Sequence, residues 1–414
     1  MEHFDIVLAL SRIALDADAP RAAHQLERLK ALLTETDKEQ AGKLGRLLTK
    51  GARRQAMAPM ALEEMRSTAE AARRHLPGET LTPSTPLPHD RETSAPLVNI
   101  QFPEGIETEP PILTERLSAA IDDLLNEWQR ADELDRIGTR PHTRCLIFGP
   151  PGVGKTKLAH YLAKRLELPC VEARLDGLVS SFLGTTARNI GSLFDFANRY
   201  RCVLFLDEFD AIAKARDDAQ EVGEIKRVVN SLLQSLDGRD GKGFTLAATN
   251  HEHLLDTAVW RRFDARIHLG LPDAETRGKL LDTFVKPLSL QGAERRFLQW
   301  ATEGMSGADV EALIDAGKRF IVLHGGADAD GRKRRDAATR GRTILEALRR
   351  HALLSGRLFR PDRAALLMGS DEALMQALLN ESFTQQETGD LVGLSQSQVS
   401  RRKARPETRA GTDG

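Results

Sequence analysis

The sequence predicts an α/β fold: a parallel five-stranded sheet with helices on both faces, a helical lid after it, and all-α segments at either end. Three observations predict it. Five short apolar runs, Cys145–Phe148, Leu168–Glu172, Cys202–Leu206, Phe244–Ala248 and Ala265–Leu269, are separated by stretches with helical apolar spacing, the pattern of buried parallel strands with crossover helices. The first run leads into Gly149-Pro150-Pro151-Gly152-Val153-Gly154-Lys155-Thr156, followed from Lys157 by a helix-like stretch. Strand, glycine-rich turn and helix start are the context that a phosphate-binding loop requires. Finally, residues 273 to 355 lack strand signals, and their spacing predicts helices at 274–285, 294–302, 307–323 and 343–354.

The remaining chain organises around this block. A chain of 414 residues is too long for one compact core. Residues 1–76 read as a bundle of helices, beginning with a hairpin over 4–34, which either packs on itself or binds a partner. Eight of the 18 prolines fall in 77–111, and proline favours extended chain without donating backbone hydrogen bonds, so a linker is expected there. Within it, Leu97-Val98-Asn99-Ile100 is an apolar patch able to dock on a neighbour. The expected divisions are therefore 1–76, the linker 77–111, the α/β domain 112–272, the lid 273–355, and a C-terminal helical segment 356–414.

Composition narrows the function classes. Lys plus Arg (59) and Asp plus Glu (60) cancel to a net charge of −1, so overall charge points to no partner. No apolar run approaches the roughly 20 residues of a membrane span, and the acidic start Met1-Glu2-His3-Phe4-Asp5 lacks the basic region of a signal peptide. Cys145, Cys170 and Cys202 have no CxxC spacing and sit in apolar stretches. Buried, reduced thiols and a cytoplasmic location are expected.

The chemistry-bearing residues follow the strands. In the loop, backbone N–H groups turn onto phosphate oxygens, Lys155 neutralises the outer phosphates of ATP, and Thr156 offers a hydroxyl to Mg²⁺. All of Gly149 to Lys157 belong to this nucleotide site. Leu204-Phe205-Leu206-Asp207-Glu208 is an apolar strand ending in two acids. Asp207 is placed to act on Mg²⁺, and Glu208 to polarise a water for attack on the γ-phosphate. The next strand ends in Thr249-Asn250, where the amide can orient that water.

Together these motifs resemble the AAA ATPases in the narrow sense, the AAA+ group that includes katanin, spastin and the membrane-anchored AAA proteases. The resemblance covers about 112 to 323. Walker A matches Gly149–Thr156, and Walker B with its catalytic acid matches Asp207-Glu208-Phe209-Asp210-Ala211-Ile212. The stretch after Walker B matches Arg227–Leu233 through Asp237-Gly238, and the sensor-1 residue falls on Asn250. The end of the second homology region falls on Trp260-Arg261-Arg262-Phe263-Asp264, two residues shorter than the usual Leu-Arg-Pro-Gly-Arg-Phe-Asp. The resemblance implies that Arg261 or Arg262 reaches the γ-phosphate of an adjacent subunit, and the shortening leaves open which one. Ser306-Gly307-Ala308-Asp309 matches the lid motif and places Ala308 at the nucleotide. Ser181-Phe182-Leu183-Gly184 resembles the pore loop, with Phe182, Leu183 and Gly184 gripping polypeptide. The resemblance thus implies a homo-hexameric ring that remodels or unfolds a protein, any proteolysis belonging to a separate partner.

A second resemblance lies at the C-terminus. Thr384 to Arg402 resembles a bacterial helix-turn-helix, with Gly389 and Gly393 at the tight-packing and turn positions and Ser395 capping the second helix. Gln396, Ser397, Gln398 and Ser400 are groups that read base edges, while Arg401, Arg402 and Lys403 suit phosphates of double-stranded DNA. Thr388 departs from the usual apolar residue. The alternative is a helical hairpin that merely packs on the lid. If the DNA reading holds, the chain is a DNA-bound ATP-dependent switch.

Overall fold

The computed structural model describes residues 78–106, 109–174, 178, 183–213, 222–239, 243–324, 337–355 and 359–403. All of them belong to one compact unit within 72–414. The helices expected before residue 76 and the basic run Arg332–Arg335 lie outside the described residues.

The elements run β1 (Val98–Gln101), α1 (Glu115–Gln129), α2 (Ala131–Arg136), β2 (Arg144–Phe148), α3 (Lys155–Arg165), β3 (Cys170–Ala173), α4 (Leu183–Arg199) and β4 (Val203–Leu206). They continue with α5 (Asp210–Ala213), α6 (Val222–Gly238), β5 (Phe244–Thr249), α7 (Thr257–Trp260) and β6 (Ala265–His268). The helical part comprises α8 (Ala274–Phe284), α9 (Gly292–Ala301), α10 (Gly307–His324), α11 (Ala337–Ser355), α12 (Pro361–Met368), α13 (Asp371–Asn380), α14 (Gln385–Val392) and α15 (Gln396–Lys403).

The sheet order is β1-β3-β4-β5-β2-β6. The five expected strands pair in parallel, but there is a sixth. β1 pairs antiparallel with β3, Val98 opposite Ala173 and Gln101 opposite Cys170. The stretch expected as a linker thus contributes to the folded layer, and Leu97 and Val98 are fully buried. β1 stands at the edge of the sheet, and Pro96 and Pro103 lie outside the strand itself, so its ladder keeps its donors.

Alternation of side chains across each strand builds two cores. Leu146, Leu204, Leu206 and Ala247 face α4 and α6 through Ile190, Leu193, Leu232 and Leu236. Cys145, Ile147, Val203 and Phe205 face α1 and α3 through Ile121, Leu125, Leu158 and Leu162. Central strands β4 and β5 are buried along their whole length, whereas β6 alternates half-buried with exposed residues, as an edge strand does. All three cysteines are free and buried. Burial pushes the Cys145 thiol from 9.0 up to about 12, and raises Cys170 and Cys202 as well.

One unforeseen buried charge ties this layer together. Arg239, 1% exposed, donates to the carbonyls of Ala197, Cys202 and Phe244 and to Thr245 Oγ1. Satisfied donors are what make a buried guanidinium tolerable, and here they join the end of α4 to β4 and β5.

A third core joins the lid to the C-terminal helices. Leu281, Phe297, Val310, Leu313, Leu345 and Leu348 pack in one cluster with Leu367, Leu374, Leu378, Leu391 and Val392. The expected division near residue 356 is therefore not a break in packing.

Candidate functional site

Strand register brings the site together at the carboxyl ends of three adjacent strands. Phe148 at the end of β2 lies opposite Thr249 of β5, and Leu206 of β4 lies opposite Ala247. The loop from Gly149, the acids Asp207 and Glu208, and Asn250 therefore emerge side by side, the usual ligand position of an open parallel sheet.

Lys155 is the hub. It starts α3 and is 7% exposed, and its ammonium donates to Gly149 O at 2.8 Å, Pro150 O at 2.8 Å and Asn250 Oδ1 at 2.6 Å. All three of its protons are used. Burial lowers its pKa, opposed by Asp207, Glu252 and Asp210. Beside it, Thr156 Oγ1 donates to Asp207 Oδ2 at 2.7 Å, so the hydroxyl and the carboxylate can share a hard cation.

The two acids are held differently. Asp207 is half-buried, and its Oδ1 accepts from the Glu208 N–H at 2.8 Å. Glu208 is exposed and has φ of 46°. A left-handed glutamate is strained by about 1–3 kcal/mol. The turn it makes lets the Phe209 N–H reach Ala248 O at 2.8 Å and sends the buried Phe209 ring into the core, leaving the carboxylate facing the cleft. Thr249, buried at the end of β5, donates to Asp210 Oδ1 at 2.6 Å and accepts from the His251 N–H. That clamp fixes the backbone just before Asn250.

The cleft has a volume of about 1650 Å³ and is lined by Pro151–Lys157, Asp207, Glu208 and Asn250. Apolar residues Ile112, Leu113, Leu269 and Leu280 also line it. Sequence spacing predicts Ile112 and Leu113 inside a helix starting at 112. The helix starts at Glu115 instead, and the two residues before its cap line the cleft. Only the apolar pair after Pro110-Pro111 could have signalled this.

The lid closes on the loop directly. The Ala308 N–H donates to Gly152 O at 3.0 Å. Gly152 has φ of 76°, and a Cβ there would stand 2.6 Å from Ser306 Oγ and 3.1 Å from the Ala308 Cβ. Only glycine gives both the left-handed turn and that clearance. Ser306 and Asp309 bind each other across the start of α10, Oγ to Oδ2 at 2.7 Å.

The arginines separate. Arg262 donates to both oxygens of Asp237, Nε to Oδ1 at 3.2 Å and Nη2 to Oδ2 at 3.3 Å, and to Ala258 O. Arg261 is exposed, and its side chain has no hydrogen bond or ion pair among the described residues. Neither lines the cleft of its own chain. Buried Phe263 and the contacts of Asp264 to Thr143 and Arg144 anchor the segment that follows.

Phe182 lies outside the described residues. Leu183 and Gly184 begin α4.

A family model described as "ATPase family associated with various cellular activities (AAA)" matches residues 145–271. The uncharacterized AAA family ATPase y4kL of Sinorhizobium fredii is 38% identical over 263 residues, 63% of this chain and 78% of that protein. This chain belongs to the AAA ATPase family. It binds nucleotide and is an ATPase. The proteasome-activating nucleotidase of Thermococcus onnurineus is 33% identical over 52% of this AAA ATPase, and that of Pyrococcus horikoshii 35% identical over 45%. The chain spans 58% and 49% of their respective lengths. Among solved structures, a FIGL-1 AAA domain is 22% identical, covers 69% of this chain and 92% of its own, and superposes with a TM-score of 0.49. No helix among the described residues is long and apolar enough to cross a membrane.

Proposed function

We propose that this AAA ATPase hydrolyses MgATP to drive remodelling or unfolding of a protein substrate, acting as a homo-hexameric ring. The supporting observation is the convergence of Lys155, Thr156, Asp207, Glu208 and Asn250 in one cleft. The loop suits a triphosphate: it presents backbone N–H groups at the start of α3, and a Cβ on Gly154 would meet nothing within 4 Å, which leaves open space over the cradle. Thr156 and Asp207 would hold Mg²⁺, which when bound neutralises charge on the β- and γ-phosphates.

Lys155 exchanges its bond to a loop carbonyl for the outer phosphates. Glu208 accepts a proton from water while the water oxygen bonds to the γ-phosphorus. The bond from that phosphorus to the β-bridging oxygen breaks, giving ADP and phosphate. Asn250, anchored by the Thr249–Asp210 clamp, orients the water. Arg261 reaches the γ-phosphate of the neighbouring subunit, and Phe182 with Leu183 and Gly184 grips the substrate in the pore. A separate protease would receive the product if degradation follows.

Replacing Glu208 with Gln is the direct test. The variant should bind ATP and fail to cleave it, and proteins captured on it should survive nuclease treatment. Normal turnover would reject Glu208 as the base. Loss of every captured partner on nuclease treatment would favour the alternative, a DNA-bound switch in which hydrolysis controls assembly.

A further inference from the structure

The C-terminal helices contain a surface that ATP hydrolysis does not use. α14 and α15 are joined by Gly393-Leu394-Ser395, with Gly393 in the left-handed region at φ of 74°. The turn packs on α14 backbone to backbone. The Leu394 N–H donates to Gly389 O at 2.8 Å, and a Cβ on Gly389 would stand 2.5 Å from Leu394 O. Thr384 and Glu387 form a capping box on α14. Ser395 and Gln398 do the same on α15, where Gln398 Oε1 accepts from the Ser395 N–H at 2.8 Å and the Gln398 N–H donates to Ser395 Oγ at 3.3 Å. Gln398, expected to read bases, thus gives its Oε1 to the cap, and Ser397 Oγ bonds Ser395 Oγ at 3.0 Å.

The two helices differ in burial. α14 buries Thr388, Gly389, Leu391 and Val392 against the lid. A Cβ on Gly341 of α11 would stand 2.2 Å from Asp390 O, so α11 and α14 also meet through backbone. α15 buries only Val399. A helix that needed nothing but the lid would not leave seven of its eight residues exposed, since lid packing is repaid by apolar contact. The hairpin alternative thus accounts for α14 and not for α15.

Charge identifies what fits the exposed face. α15 carries Arg401, Arg402 and Lys403 and no acid, and none of the three has a partner among the described residues. On α13 and α14 and in the turn between them, Glu387 is engaged by Arg296, Asp371 by Arg342 and Arg349, Glu381 by Arg363 and Asp390 by Gln386, which leaves Glu372 as the acid without a partner among the described residues. Cations at a helix C-terminus also suit its dipole, but that alone does not call for Gln396, Ser397 and Ser400 on the same exposed helix. Eight residues make a rod about 12 Å long, and the major groove is about 12 Å wide.

We propose that α14 and α15 form a double-stranded DNA-binding unit, with Gln396 and Ser400 facing base edges and Arg401, Arg402 and Lys403 on phosphates. The proposal stands on the C-terminal geometry and is independent of the remodelling reading. Because α14 shares the lid core, this face is carried on the same lid whose Ala308 N–H meets Gly152 O.

The test uses the full chain and a labelled duplex of mixed sequence, titrated between about 50 and about 200 mM salt. Removing two phosphate contacts, as Arg401→Ala with Arg402→Ala, should lower the slope of log affinity against log salt by about 1.8, or about 60-fold in affinity at 0.1 M salt. Arg401→Lys with Arg402→Lys should retain the slope, and the ATPase rate should be unchanged in both variants. A wild-type chain that does not bind duplex, an alanine variant with unchanged slope, or equal affinity for a single strand of the same length would each overturn the assignment.

Discussion

Arg261 and Arg262 stand side by side in the sequence, and the structure gives them different surroundings. Truncating Arg262 removes its bonds to Asp237, a pair whose side chains are 34% and 51% exposed. Pairs this open contribute about 0–1 kcal/mol, small beside the roughly 5–15 kcal/mol that holds a folded chain together. Arg262→Ala should therefore remain folded and keep most of its rate. Arg261 has no side-chain hydrogen bond or ion pair among the described residues, so Arg261→Ala should leave stability unchanged. If it completes the neighbour's site, its loss should cost roughly 10³ to 10⁵ in turnover, about 4–7 kcal/mol on the barrier, with nucleotide still bound. The decisive assay is complementation. Arg261→Ala subunits retain the cleft, and Lys155→Ala subunits retain the arginine. In a random equal mixture about one quarter of the head-to-tail interfaces pair an intact cleft with an intact arginine. Activity should recover to about a quarter of wild type, from two inactive proteins. No recovery on mixing, or equal loss from Arg262→Ala, would refute the assignment.

Two further outcomes concern buried groups. Thr388 is fully buried, and its Oγ1 has no hydrogen-bond partner among the described residues. Thr388→Val replaces that hydroxyl with a methyl of the same shape and should stabilise the lid by about 1–3 kcal/mol, read as a higher urea midpoint; a lower midpoint would mean that the hydroxyl is satisfied. The Cys145 thiol is held at about 12 in the fold against 9.0 when exposed. A raised pKa gives stability that is complete below about pH 9 and lost as pH rises toward 12. At pH 10 the unfolded chain gains about 1.4 kcal/mol by ionising this thiol, which the folded chain cannot match. Cys145→Ala should remove that share of the fall in urea midpoint between pH 8 and pH 10, and an unchanged pH dependence would contradict it.

Much of the site is legible because its residues are consecutive. Gly149 to Thr156 and Leu204 to Glu208 each place their chemistry at the end of an apolar run, and strand ends in a parallel sheet converge whatever the details of packing. The apolar patch at Leu97–Ile100 is visible too, but not its pairing with β3. Proline content argues against a strand, whereas an edge position tolerates it. Gln398 has a second role that spacing does not show. An exposed glutamine on a recognition-like helix reads as a donor to bases, but three residues after Ser395 it completes a cap.

By itself the sequence determined the α/β layer, the phosphate loop with its acid pair, and two C-terminal helices joined at Gly393, because local periodicity and contiguous motifs encode each of them. Tertiary structure alone decided that Lys155 meets Asn250, 95 residues away, that Ala308 closes on Gly152, and that Asp237 holds Arg262 while Arg261 has no partner among the described residues. It also decided that the lid and α14 share one core. Each of these joins segments far apart along the chain, and spacing within a segment carries no information about which distant side chain will meet it.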